Sequence, residues 1–146
     1  MRTIRDIINH REPYWADSGW SVRRVVDYLC ERRIGAVAIR EGDRVVGVFS
    51  ERDLMHRVVH SGVDPEKTMV SEVMSKGIIQ VSPNEDYRVA KAKMFEKGIR
   101  HLVVIDQDGK LCGMVAMREL VQVDLDEYRD LVQKLNDQYY QSALKE

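Results

Sequence analysis

The chain repeats itself, and that limits the folds open to it more than any other feature. Ile34-Gly35-Ala36-Val37-Ala38-Ile39 returns 65 residues later as Ile99-Arg100-His101-Leu102-Val103-Val104. Gly47-Val48-Phe49-Ser50-Glu51-Arg52-Asp53-Leu54 returns 66 residues later as Gly113-Met114-Val115-Ala116-Met117-Arg118-Glu119-Leu120. Upstream, Ile4-Arg5-Asp6-Ile7-Ile8 is echoed by Val70-Ser71-Glu72-Val73-Met74. The offset changes by one between two apolar runs, where Arg40-Glu41-Gly42-Asp43-Arg44 stands against Ile105-Asp106-Gln107-Asp108-Gly109-Lys110, so a loop insertion accounts for it. Two copies of one supersecondary unit are expected, at 1–60 and 70–123. A linker at 61–69 joins them, and a C-terminal helix over 124–146 follows.

Each copy reads alike. Val22, Val25, Val26 and Leu29 fall at i, i+3, i+4 and i+7, one face of a helix. Ala36–Ile39 and Val45–Phe49 are short apolar runs split by a Gly/Asp turn and predict a hairpin. A second helix is expected from Ser50, carrying Leu54, Val58 and Val59. In the second copy Tyr87, Ala90 and Met94 mark the helix, while Leu102–Ile105 and Leu111–Val115 mark the strands around an Asp108-Gly109 turn. Pro83 ends a strand expected over Ile78–Val81. The order β-α-β-β-α therefore occurs twice in an α+β chain. Neither copy can bury both faces of a three-stranded sheet alone, so the two should pack sheet to sheet.

Composition excludes several functions. At 146 residues and 17.0 kDa the chain is one domain's worth, with 44% hydrophobic and 32% charged residues. Twenty-three basic against 24 acidic side chains leave a net charge of -1, and only two Phe are present. A nucleic-acid binder would need a basic stripe or a stacking platform, so nucleic acid is not an expected partner. No apolar run reaches the roughly 18 residues of a membrane span, and Met1-Arg2-Thr3-Ile4-Arg5-Asp6 has no apolar signal core. The expectation is a cytoplasmic chain with no membrane contact. Cys30 and Cys112 are too few for a disulfide framework or a cysteine zinc site. His56 and His60 have the i, i+4 spacing of metal ligands, but two ligands make no site, and they read as an exposed helical face. Trp15 and Trp20 read as core or interface. No Ser/His/Asp set, glycine-rich phosphate loop or carboxylate pair stands out, so neither catalysis nor a metal is expected.

The segments Gly47-Val48-Phe49-Ser50-Glu51-Arg52-Asp53, Val81-Ser82-Pro83-Asn84 and Ile99-Arg100-His101-Leu102-Val103-Val104-Ile105-Asp106 resemble the signature segments of the cystathionine-beta-synthase (CBS) domain. The likeness is to its tandem pair, the Bateman module, and covers about Ile4 to Val123. The resemblance implies a regulatory module with two clefts between the sheets. Each cleft can take an adenosine-containing ligand: AMP, ADP or ATP first, then S-adenosylmethionine or NADH, with no required cofactor. It also implies a homodimer, two-fold symmetric, that passes its state to a regulated protein. No enzyme or transporter domain is recognised in the chain.

An adenosine phosphate needs an apolar slot, an acceptor for the ribose hydroxyls and positive charge. Asp53 can accept both hydroxyls, and Ser50 starts a helix whose free N–H groups favour an anion. Ser-x-x-Asp is equally a capping box, and the two roles are compatible. The resemblance completes this first cleft with Ile78, Ile79 and Val103 against the base and with Arg100 and His101 near the phosphates. Val48 lines the same slot, and Arg52 and Lys76 are further candidates for charge. His101 beside a phosphate would titrate in the physiological range.

The second cleft departs from the pattern. Ala116 replaces the Ser/Thr, removing hydroxyl and cap, and Glu119 replaces the Asp. With Met114 it faces Pro13, Tyr14, Ile34, Gly35 and Ala38; Gly35 and Ala36 stand where Arg100 and His101 stand in the other copy, and Arg118 and Arg33 offer substitute charge. One good site per chain is expected. Beyond it, Leu125, Tyr128, Val132, Leu135 and Tyr139 step by 3, 4, 3, 4, the seam spacing of a helix that pairs with another. That helix is open to two readings, packing on its own domain or a dimer contact. The functional expectation is a sensor of an adenosine nucleotide; the alternative is a dimeric adaptor whose clefts bind nothing.

Overall fold

The computed structural model describes residues 2–9 and 11–146; Met1 and His10, both inside the first unit as the sequence divides it, lie outside the described residues. The first unit holds α1 (Ile4–Ile8), β1 (Trp15–Asp17), α2 (Val22–Arg32), β2 (Ala36–Glu41) and β3 (Arg44–Ser50). The helix α3 (Glu51–Asp53) follows and runs on as a π-type turn over Leu54–Val59. The second holds β4 (Gln80–Val81), α4 (Tyr87–Lys97), β5 (His101–Ile105), β6 (Leu111–Ala116) and α5 (Met117–Leu144). Each forms a three-stranded sheet, β1-β2-β3 and β4-β5-β6, with one parallel and one antiparallel pairing. The α+β architecture of two pseudo-symmetric units packed sheet to sheet is as expected. Ala38, Val103 and Leu111 form the layer between the sheets, flanked by Trp15, Val45, Val48, Ile78, Ile105 and Met114.

Local chemistry sets the element ends. Ser21 Oγ accepts from Arg24 N (3.1 Å) to start α2, and the Asp86 side chain accepts from Arg88 N (2.9 Å) to start α4. The hairpin turn of the second unit is the longer one: Asp106 accepts from Lys110 N and Asp108 N (both 2.9 Å), and this is where the one inserted residue sits.

Three elements differ from expectation. Only Gln80–Val81 of the predicted Ile78–Val81 strand pairs with β5, because Ile78 N turns back to Lys76 O (2.9 Å). The helix after Ser50 loosens at once into the π turn, whose His60 N bonds to Met55 O (2.9 Å), five residues back. The tail is no separate helix: α5 runs unbroken for 28 residues from Met117.

The leading segments are exchanged between the units. Ile4 and Ile8 of α1 are buried in the second unit's core, among Val81, Tyr87, Ala90, Met94, Leu102, Val104, Val115 and Leu120. Val70, Val73 and Met74 are buried in the first unit's core, among Val22, Val25, Leu29, Val37, Ile39, Phe49 and Val58. Main-chain bonds fix both: Ile4 N to Glu85 O (2.9 Å) and Tyr87 N to Arg2 O (3.1 Å), against Val70 N to Trp20 O (2.8 Å) and Val22 N to Thr68 O (2.9 Å).

The segment from Val70 also reaches β3, where Val48 and Ser75 exchange main-chain bonds of 2.9 and 2.8 Å. Gly47 permits that approach: a Cβ there would stand 2.5 Å from Met74 Sδ and 2.8 Å from the Ser75 carbonyl oxygen. Thioether and carbonyl cannot both retreat, because Met74 is buried and the carbonyl bonds Val48. Gly47→Ala is therefore expected to cost about 1–3 kcal/mol, the usual range for overpacking. Its denaturant midpoint should fall; an unchanged midpoint would mean the segment yields freely.

Candidate functional site

One cavity of about 1480 Å³ runs along the seam between the units and touches both expected clefts. Its wall brings together Val48, Ser50, Arg52, Asp53, Ile78, Ile79, Arg100 and His101 from the first cleft. It also brings Pro13, Tyr14, Met114, Ala116, Arg118 and Glu119 from the second. Three expected residues are not on it, the first being Ala38 of the second cleft, which is fully buried in the layer between the sheets. Val103 is 1% exposed and packs between the sheets, because alternation along β5 turns it toward Ala38 and Leu111. Lys76 is exposed and off the lining; the turn that bonds its carbonyl to Ile78 N puts Ile78 and Ile79 on the wall instead.

Asp53 is the buried anchor of the first cleft, at 6% exposure. Its Oδ2 accepts from Ser50 N (3.0 Å) and Ser50 Oγ (3.2 Å), and Asp53 N donates back to Ser50 Oγ (3.4 Å). Oδ1 accepts from Ser75 Oγ (2.9 Å) and lies 3.6 Å from Arg57 Nε. Arg57 also donates to Met74 O (2.8 Å), so one guanidinium ties the carboxylate to the exchanged segment. A carboxylate offers about four acceptor positions, and three are filled within the chain. A second incoming hydroxyl needs Ser50 or Ser75 to rotate its own away.

Ser75, on the cavity wall, and Arg57, which reaches Asp53 from off it, are partners of Asp53 that the sequence reading missed. Arg57 stands i+4 from Asp53 on the helix, a legible spacing, whereas nothing in the spacing of Ser75 links it to Asp53. Around this anchor Val48, Ile78 and Ile79 supply apolar wall, while Arg52 and Arg100 supply exposed charge. His101 is half-buried, and burial holds its imidazole below the ordinary value, with Glu51 pulling upward and Arg100 and Arg118 downward. Burial thus favours the neutral imidazole.

The second cleft is wired differently. Glu119 Oε1 accepts from Ala116 N (3.1 Å), so the longer carboxylate restores half of the cap that alanine was expected to lose. Its other oxygen pairs with Arg11 Nη1 at 2.8 Å. That arginine, absent from the sequence reading, ties Glu119 at the start of α5 to the segment between α1 and β1, and Arg33 and Arg118 remain on the wall. Among the described residues no cluster of three His, Cys, Asp or Glu could hold a metal ion, and no helix is long and apolar enough to cross a membrane.

Comparison with known proteins places this geometry. The family model of the CBS domain matches residues 4–60 and again 70–126. An uncharacterised protein of Methanopyrus kandleri is 38% identical over 95 residues, 64% of this chain and 48% of its own. The mitochondrial CBS domain-containing protein CBSX3 of Arabidopsis thaliana is 28% identical over 92% of this chain and 70% of its own. The chain thus spans about half of the first relative's length. Among solved structures, a CBS-domain protein of Burkholderia ambifaria superposes with a TM-score of 0.80 at 28% identity, over 86% of this chain and 95% of its own. A CBS domain protein of Pyrobaculum aerophilum, solved in complex with AMP, gives 0.71 at 29% identity, over 82% and 89%.

Proposed function

We propose that this chain, which belongs to the CBS domain family, is a regulatory sensor that binds one adenosine nucleotide of the AMP, ADP or ATP class in its first cleft. Asp53 carries the reading: a buried carboxylate on the cavity wall, beside an apolar slot and within the same cavity as the exposed Arg52 and Arg100 and the half-buried His101. The AMP complex of the Pyrobaculum relative supports the ligand class. Occupancy would be felt through Ser75 and Arg57, which join the carboxylate to the exchanged segment. The second cleft, with its acid committed to Arg11, is left without a ribose anchor.

The sensor acts as a homodimer on a separate regulated protein. Met55 and Val59 of the first unit, and their repeat counterparts Val121 and Leu125 of the second, are all exposed, which supports a two-fold interface on that side. The same exposed residues favour the adaptor as the second reading, in which assembly is the function and the clefts stay empty. The cytosol is its proposed compartment, supported by an exposed thiol at Cys30.

A thermal-shift panel of AMP, ADP, ATP, S-adenosylmethionine and NADH tests this. A ligand that binds only the folded chain adds about 2.7 kcal/mol at 100 times its dissociation constant. One of the three adenosine phosphates should raise the melting temperature. No shift from any compound, on a folded dimer, would give the adaptor reading precedence.

A further inference from the structure

Two arginines of the cavity wall stand where local chemistry disfavours them. Arg33 closes α2 in the left-handed conformation, at φ 54°, and is the only non-glycine residue with a positive φ among the described residues. Its repeat counterpart, Gly98, closes α4 at φ 65°. Glycine is the usual occupant of such a cap, because a Cβ there crowds the backbone. Arg118 lies in the first turn of α5, where the positive end of the helix dipole opposes a cation. Departures of this kind persist where a site uses the side chain.

Both arginines are exposed, line the cavity and form no ion pair among the described residues; Arg52 and Arg100 share these properties. Two acids of the same wall are occupied, Asp53 by Arg57 and Glu119 by Arg11, which leaves Glu12 and Glu51. The unpaired charge of the wall is therefore positive, in a chain whose net charge is -1. Arg118 is also continuous with the first cleft. Ala116 pairs with His101 across β5 and β6, and Met117 N donates to Arg100 O (2.8 Å), so α5 begins beside both residues. At about 1480 Å³ the cavity exceeds the roughly 300–1,000 Å³ of a small-ligand site, leaving room beyond one compact ligand.

We infer that the nucleotide is the triphosphate, with its base and ribose in the first cleft and its terminal phosphate held by Arg118 and Arg33. The arginines of the second cleft then serve the ligand of the first, and phosphate count is what the sensor reads. The inference rests on the sensor reading above and narrows its ligand. Isothermal titration of AMP and ATP in magnesium-free buffer, on the wild-type chain, on Arg33→Gly and on Arg118→Gln, tests it; without magnesium the chain alone supplies the counter-charge. The wild type should bind ATP at least about tenfold more tightly than AMP, the scale of one hydrogen bond to a charged group. Each variant should lose most of that preference through weaker ATP binding, with AMP affinity unchanged. Arg33→Gly should also melt no earlier than the wild type, since glycine suits the left-handed cap, so its loss of ATP affinity cannot come from a damaged fold. A wild type that binds AMP as tightly as ATP, or a preference that survives either change, overturns the inference and leaves the sensor reading standing. Binding of neither nucleotide overturns both.

Discussion

Asp53→Asn should weaken binding of the adenosine nucleotide found in the thermal-shift panel by about 10- to 100-fold. A hydrogen bond to a charged acceptor contributes roughly 1.5–3 kcal/mol, and the amide removes the charge and one of two acceptor oxygens. The variant also loses stability without ligand, because its one amide oxygen keeps the Ser50 bonds only by turning the NH2 group toward the Ser75 hydroxyl and the Arg57 guanidinium. Ser75→Ala separates the two effects. It frees one position on Asp53 Oδ1 while leaving the charge, so affinity should hold or rise. Isothermal titration on both variants decides: equal affinity losses would mean that Asp53 serves the fold alone and that the ribose is held elsewhere.

Ile4→Ala should unfold the chain earlier than a change so near the N-terminus would suggest. Ile4 is fully buried, and truncating a buried isoleucine costs about 2–5 kcal/mol, roughly 5 to 15 °C in melting temperature for a chain of this size. The place of the damage is as telling as its size. Hydrogen exchange should accelerate in α4 and β5 of the second unit, whose core Ile4 completes, before it does in α2 and β2. Earlier loss in α2 and β2 would contradict the exchange of leading segments.

Much of this fold is legible because it is written in periodicity. Val22, Val25 and Leu29 mark one buried helix face, and the runs Ala36–Ile39 and Leu102–Ile105 are strands because apolar side chains alone satisfy both faces of a covered sheet. The capping pair Ser50 and Asp53 is equally visible, since its chemistry is local. What escapes is nonlocal. The echo of Ile4–Ile8 in Val70–Met74 is plain, yet nothing in it says which core each segment enters. Ser75 reaches Asp53 across 22 residues for the same reason. The sequence reading sets Val103 against the base and offers Lys76 as charge; strand alternation and a tight turn, each fixed by neighbours, leave both off the cavity lining. The register of α5 was readable, whereas its freedom from the domain depends on where the domain ends.

The crossing of the leading segments has a consequence for how such a chain can be divided. Each half carries a plug for the other's core and lacks one for its own, so a single half is an incomplete object with a spare part. Supplied at high concentration, a lone half has one remedy: to lend its plug to another copy and borrow that copy's in return. The two-unit chain is this reciprocal loan made permanent by a linker, with the second borrower held always within reach.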